Sequence, residues 1–275
     1  MRMKKEKNKN LLIVGAVHGN EKVGVEVVKR LNGLVGKKQV LGLTANNKAF
    51  SQNVRFIDQD LNRSFPGNPK GNYEEQRAFQ LVRLIKKFNY VLDLHSFSCK
   101  SKPFVIVTKR TAQHLVFAKA VGIKRIVFMS PELASGKALI DHCQCGVSVE
   151  AGRHGSKITD RRAENVIENV LSELGFLNAR KKKEFKRSYF QVVQILFKNS
   201  RKEKLLKNIQ NFVLVQKGDT VTAGSKQAFV APYRFYPILA RERAYSKILC
   251  LMAKPVRIRK EETRLLPPIG EDSAR

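Results

Sequence analysis

The segment Val14-Gly15-Ala16-Val17-His18-Gly19-Asn20-Glu21 sets a histidine and a carboxylate three residues apart, just where an apolar run ends. A neutral imidazole nitrogen and a carboxylate oxygen both bind zinc well, at about 2 Å. A turn at a strand end can aim both side chains at one point, and Gly15 and Gly19 permit a tight one. A catalytic zinc takes three protein ligands and keeps its fourth position for water, so a third ligand should come from a neighbouring strand end. His95 is the candidate: in Asp93-Leu94-His95-Ser96 it closes the apolar run 90–94, and parallel sheets present their active edge at the carboxyl ends of strands. A lone histidine at a strand end is more often a structural hydrogen-bonder, and spacing alone leaves both readings open.

These side chains need a scaffold, and the chain supplies one. Strand-like runs occupy 11–17, 39–45, 90–95, 103–108, 124–129 and 146–151. Between them, Val23, Val27, Leu31 and Leu34 recur at helical spacing over 21–34, as do Ala78, Leu81, Val82, Ile85 and Phe88 over 73–88. Asn72 followed by Glu75 offers a cap for the second helix. Further helices fit 111–121 and 160–174. Alternating strands and helices predict an α/β layer with a largely parallel sheet. The texture changes at 180–187 (RKKKEFKR), a basic stretch without a periodic apolar face that reads as a solvated linker. Short apolar runs follow at 189–197, 212–216, 226–231 and 247–253, separated by turn chemistry at Gly218-Asp219 and Ala223-Gly224. The expected division is an α/β domain over 1–178, a linker over 179–188, a small β domain over 189–257 and a charged tail over 258–275.

Composition narrows the classes. A chain of 275 residues with 43% hydrophobic and 28% charged residues is that of a soluble protein with a real core. No apolar run approaches the ~18–20 residues of a membrane span. The basic N-terminus leads into only a short apolar run and then HGNE, which does not read as a secretory signal. The four cysteines are few and unevenly placed, which suits free thiols in a reducing cytoplasm. The net charge of +30 favours non-specific contact with polyanions and draws in small anionic substrates.

Four ordered motifs then become recognisable: His18-Gly19-Asn20-Glu21, Asp60-Leu61-Asn62-Arg63-Ser64-Phe65-Pro66-Gly67, Asp93-Leu94-His95 and Val149-Glu150-Ala151-Gly152. Together they resemble the motifs of the succinylglutamate desuccinylase/aspartoacylase family, within the zinc carboxypeptidase-like superfamily. The resemblance runs from about 11 to 175, and more loosely to about 254. It implies a mixed, mostly parallel sheet flanked by helices with a smaller C-terminal β domain, and one Zn2+ per chain on His18, Glu21 and His95. Glu150 matches the family's catalytic glutamate, and a carboxylate there can take a proton from the attacking water and pass it to the leaving amine. Arg55 aligns with the arginine that steadies a developing oxyanion. Asn62 and Arg63 match the pair that grips a substrate carboxylate, the guanidinium offering a two-pronged fork. Asp58 and Asp60 are expected to orient these groups.

Glu242-Arg243-Ala244-Tyr245 resembles the segment with which the aspartoacylase branch sets a tyrosine over its substrate, so Tyr245 is a substrate-binding candidate; packing between domains would explain it equally well. One departure bears on the substrate. The aspartoacylase branch carries a further substrate-binding arginine shortly before its catalytic glutamate, and Ile140 stands at that place here. The expected function is a zinc-dependent amidohydrolase that deacylates a small, anionic N-acyl amino acid. The alternatives are a carboxypeptidase-like peptidase and a basic protein that associates with nucleic acid. The short separation of His18 and His95 speaks against the first, and the lack of an aromatic platform or recognition motif against the second.

Overall fold

The computed structural model describes residues 9–25, 28, 39–178 and 185–258. The strands are β1 (Leu11–Gly15), β2 (Val40–Thr44), β3 (Tyr90–Phe97), β4 (Phe104–Val107), β5 (Arg125–Phe128), β6 (Gly146–Arg153), β7 (Ser188–Phe197), β8 (Lys204–Leu205), β9 (Thr222–Ala223), β10 (Tyr236–Ile238) and β11 (Ile248–Val256). Four α-helices are described: α1 (Asn47–Gln52), α2 (Tyr73–Ile85), α3 (Ala112–Ala120) and α4 (Lys157–Leu174).

Nine strands form one sheet in the order β10-β11-β7-β5-β4-β6-β3-β1-β2. The pairs β1/β2, β1/β3, β3/β6, β4/β5 and β5/β7 are parallel, while β4/β6, β7/β11 and β10/β11 are antiparallel. β1 and β3 are buried along their whole length, which is why their sequences run apolar without alternation. On one face Ile13, Leu92, Val147 and Val149 pack against α3 and α4 through Leu115, Ala163 and Val166. On the other, Leu12, Val14 and Val91 pack against α2 through Ala78, Leu81 and Ile85. Asn72 and Glu75 close a reciprocal capping box at the start of α2, as their spacing predicts.

Across β3 and β6, Asp93 pairs with Ser148 and His95 with Glu150; Ser148 and Glu150 in turn face Ile106 and Phe104 of β4. Because side chains alternate along a strand, all of these lie on the face that α2 covers.

The structure departs from sequence expectation in the C-terminal region. The runs at 212–216 and 226–231 are not strands; each meets a neighbour through a single isolated bridge, Val215 with Phe235 and Val230 with Thr220. Gly218 and Gly224, at φ 89° and 86°, turn the chain before a ladder can extend. β7 pairs with β5, so the region from residue 188 continues the main sheet, and only β8 and β9 form a separate two-stranded sheet. Most of the helix expected over 21–34 lies outside the described residues; Val23, Val25 and Val28 are buried. Residues 179–184 of the expected linker and 259–275 of the tail lie outside them too. Among the described residues no helix is long and apolar enough to cross a membrane.

Candidate metal centre and substrate cavity

β1 ends at Gly15, and Ala16 takes a positive φ of 50° that swings the chain off the sheet. His18 follows in this turn, and the Glu21 amide donates to the His18 carbonyl at 3.0 Å, which brings the two side chains to the same side. Gly19 is required for space: a Cβ there would sit 2.1 Å from the backbone of Ala49 in α1. His95 projects from β3, one sheet position away.

The three side chains converge. Suitable donor atoms of His18, Glu21 and His95 all lie within 4.8 Å of one another, and all three residues are buried. Nδ1 of His18 is 2.8 Å from one Glu21 oxygen, and Nδ1 of His95 is 3.2 Å from the other. The opposite nitrogens face carboxylates: His18 Nε2 lies 3.0 Å from Asp60 Oδ1, and His95 Nε2 lies 2.7 Å from Asp93 Oδ2. Placing the His95 ring proton on the Asp93 side leaves its Nδ1 lone pair turned toward the common centre, the arrangement of metal-binding histidines, while His18 Nε2 lies between Asp60 and Arg55 Nη2, the latter at 2.9 Å. Burial works against charge on either ring, but the neighbouring carboxylates outweigh it and raise both pKa values, that of His95 further. Against its own burial, His18 and His95 hold the Glu21 carboxyl well below the usual range. Two imidazole nitrogens and one carboxylate, dry and oriented from behind, fit a zinc ion.

Each supporting carboxylate is held in turn. Asp93 also accepts from the Ser148 hydroxyl at 2.8 Å. Asp60 accepts from Arg55 Nη2 at 3.0 Å and from the Asn62 amide at 2.8 Å. Despite burial, His18 and Arg55 keep the Asp60 carboxyl far below its ordinary value. Arg55 donates as well to Glu21 Oε1 at 3.2 Å, and its guanidinium lies 5.9 Å from the centre of the Tyr245 ring. Asp58 is elsewhere: it is exposed and caps α2 by accepting from the Tyr73 amide at 3.0 Å.

A cavity of about 110 Å³ opens beside this centre, and His18, His95, Asn62, Arg63, Glu150 and Tyr245 all contribute to its wall. Glu150 Oε2 is shut off from solvent and has no hydrogen-bond partner. Burial, reinforced by the charges of Glu21 and Glu242 and opposed by the histidines, pushes its carboxyl up to about 8. A dication nearby would draw that value back down. Asn62 uses its carbonyl oxygen to accept from the Leu139 amide at 2.8 Å, so its side-chain amide group is what it can offer a substrate. Arg63 is exposed at the rim and donates to the Asn62 carbonyl at 2.7 Å.

Two supports escaped the sequence reading. Glu74, with no solvent exposure, accepts from Ile57 and Asp58 amides at 2.7 and 3.0 Å, from Gln59 at 3.3 Å and from Asn46 Nδ2 at 3.0 Å. It thereby fixes the loop between Arg55 and Asp60. Glu242 accepts from the Ser98 hydroxyl at 2.6 Å and the Ser98 amide at 2.9 Å, tying the 242–245 segment to the end of β3 and setting Tyr245 against the cavity. Glu74 left a faint sequence signal as an acidic residue in a first helical turn; Glu242 stood in the segment read for Tyr245, but nothing in the sequence pointed to its bond with Ser98.

The fold recurs among known proteins. Murine aminoacylase 3 superposes with a TM-score of 0.77 at 19% identity, over 93% of this chain and 98% of that one. Succinylglutamate desuccinylase from Vibrio cholerae gives a TM-score of 0.73 at 18% identity, over 94% and 85%. In sequence, a probable aspartoacylase from Trichodesmium erythraeum is 29% identical over 167 residues, 54% of this chain and 57% of that protein. A succinylglutamate desuccinylase from Shewanella pealeana is 31% identical over 147 residues, 44% and 43% of the two. The matches thus span about half the length of these relatives. Residues 7–174 match the model of the succinylglutamate desuccinylase/aspartoacylase catalytic domain, and the chain belongs to that family.

Proposed function

We propose that this chain is a zinc-dependent amidohydrolase that removes the acyl group from a small N-acyl amino acid. The observation that carries the reading is the convergence of His18, Glu21 and His95 beside a cavity walled by Glu150. Zinc, when bound by those three, supplies the Lewis acidity that polarises an amide carbonyl and makes water a competent nucleophile near neutral pH. Glu150 serves as the proton carrier: its Oε2, dry and unpartnered, accepts a proton from the attacking water and returns it to the leaving nitrogen. Arg55, fixed by Glu21 and Asp60, offers fixed positive charge to the oxygen on which negative charge develops. The Asn62 amide and the Arg63 guanidinium hold a substrate carboxylate, and Tyr245, which also lines the cavity, adds a hydroxyl donor. The small cavity favours acyl amino acids over peptides.

The test combines metal analysis with a hydrolysis screen over N-acyl amino acids and peptides. One zinc per chain and release of free amino acid are expected. Glu150→Gln should keep its zinc and lose at least about 100-fold in kcat, the usual contribution of a general acid–base. A variant that turned over at the wild-type rate would remove Glu150 from the mechanism.

A further inference from the structure

The cavity has two unlike ends. Its charged lining, His18, Arg63, His95 and Glu150, is gathered at the metal centre and the adjoining rim. Away from there the wall is apolar: Ile106, Met129, Leu133, Ile140, Ile195 and Leu251. The register explains the division. Glu150 on β6 and Ile106 on β4 share one sheet face, because Phe104 pairs with Glu150 and Ile106 with Ser148. Met129 extends β5, and Ile195 pairs with Leu251 between β7 and β11. The floor therefore runs from the metal-binding strands across β4 and β5 toward β7 and β11, at about 4.8 Å per strand. The 3-10 turns Pro131–Ala134 and Leu139–His142 add Leu133 and Ile140 to its wall. At this end Thr108 and Ser130 add only neutral hydroxyls, and the Thr108 oxygen has no hydrogen-bond partner. At the ~30 Å³ each water takes in the liquid, 110 Å³ holds about four, room for a short chain of carbons rather than for a further residue.

A carboxylate pushed into that end would lose its water and meet no cation among the lining residues, whereas each methylene would gain from leaving water. We infer that the cavity's far end receives an apolar group: the preferred substrate is an N-acyl amino acid with one carboxylate, held at Arg63, and an aliphatic acyl chain or side chain in place of a second carboxylate. This rests on the proposed hydrolase activity for its reaction, but not for its binding preference.

Two substrate ladders test it on the zinc-loaded full chain. The first varies the side chain over N-acetyl-glycine, -alanine, -2-aminobutyrate and -norvaline, with N-acetylaspartate and N-acetylglutamate as diacids. The second varies the acyl group over N-acetyl-, N-butyryl- and N-hexanoylglycine, with N-succinylglycine as the diacid. Along one ladder kcat/KM should climb about fourfold per buried methylene, and the ladder that climbs identifies which group enters the far end. Each diacid should fall at least about tenfold below its neutral counterpart. Leu133→Arg, at a partly exposed turn, should flatten the climb and narrow the diacid deficit, while Leu133→Met leaves both intact. Two flat ladders, or a diacid that outpaces every neutral compound, would overturn the inference. Calorimetric affinities of the same compounds for the Glu150→Gln variant separate the two claims. The same order of binding without any wild-type turnover would uphold the apolar end and sink the hydrolase; turnover with the order inverted would do the reverse.

Discussion

Glu74→Gln isolates the carboxylate that shapes the loop behind the metal centre. Oε1 accepts from the Ile57 amide and the Asn46 side chain, and Oε2 from the Asp58 and Gln59 amides. A glutamine keeps one oxygen, but whichever way its amide turns, an NH2 group faces two donors. Two hydrogen bonds to a charged acceptor are lost, each worth about 1.5–3 kcal/mol. Asp58 is exposed and Gln59 partly so, and water relieves their freed amides, so the low end applies: about 3 kcal/mol. For a chain of this size that lowers Tm by about 6–10 °C. The same loop carries Arg55 and Asp60, so the loosened loop should also cut kcat/KM by about 10–100-fold while zinc content, set by His18, Glu21 and His95, holds at wild type. Differential scanning calorimetry, metal analysis and steady-state kinetics on the best substrate read all three. A variant with wild-type Tm and wild-type kinetics would refute the idea that this carboxylate sets the geometry of the site.

Asp93→Asn replaces the acceptor behind His95 with a group that cannot fix the ring as firmly, and zinc affinity should fall about 10–100-fold in competition with a chelator. The raised Glu150 carboxyl also predicts a pH effect on the chelator-treated protein. A carboxyl whose folded pKa is about 8 rather than about 4.5 stabilises the fold relatively at low pH, and that contribution is lost as pH rises through 8, at most about 5 kcal/mol in all. Urea denaturation at pH 5 and pH 8 should therefore show Glu150→Gln gaining stability relative to wild type at the higher pH; equal differences at both would show that the carboxyl titrates normally.

Much of this architecture is legible in the chain before any folding is considered. Runs such as LLIVG and YVLDL announce strands covered on both faces, because nothing but a central position tolerates so little polarity. His18 and Glu21 are legible because their relation is local, and His95 because a strand end is visible in sequence. What stays hidden depends on distance. Glu74 looks like an ordinary first-turn acid of an amphipathic helix, yet it is turned inward to a loop some fifteen residues away. Glu242 reaches Ser98 across 144 residues, a relation no periodicity encodes. Between Val213 and Val230, apolar content suggests strands, but exposed Val213, Leu214 and Val230 sit among turns too closely spaced for a ladder.

The insertion of β7 beside β5 has a consequence for synthesis. During translation His18, Glu21, His95 and Glu150 emerge well before the ribosome releases Ser188, and until then β5 ends the sheet with an open edge carrying Ile126, Val127 and Phe128. Such an edge invites pairing with another nascent chain. Chains stopped near residue 175 should accumulate as aggregates despite holding all three proposed zinc ligands, and a fragment spanning 185–258 supplied in trans should rescue them only if it can still pair with that edge.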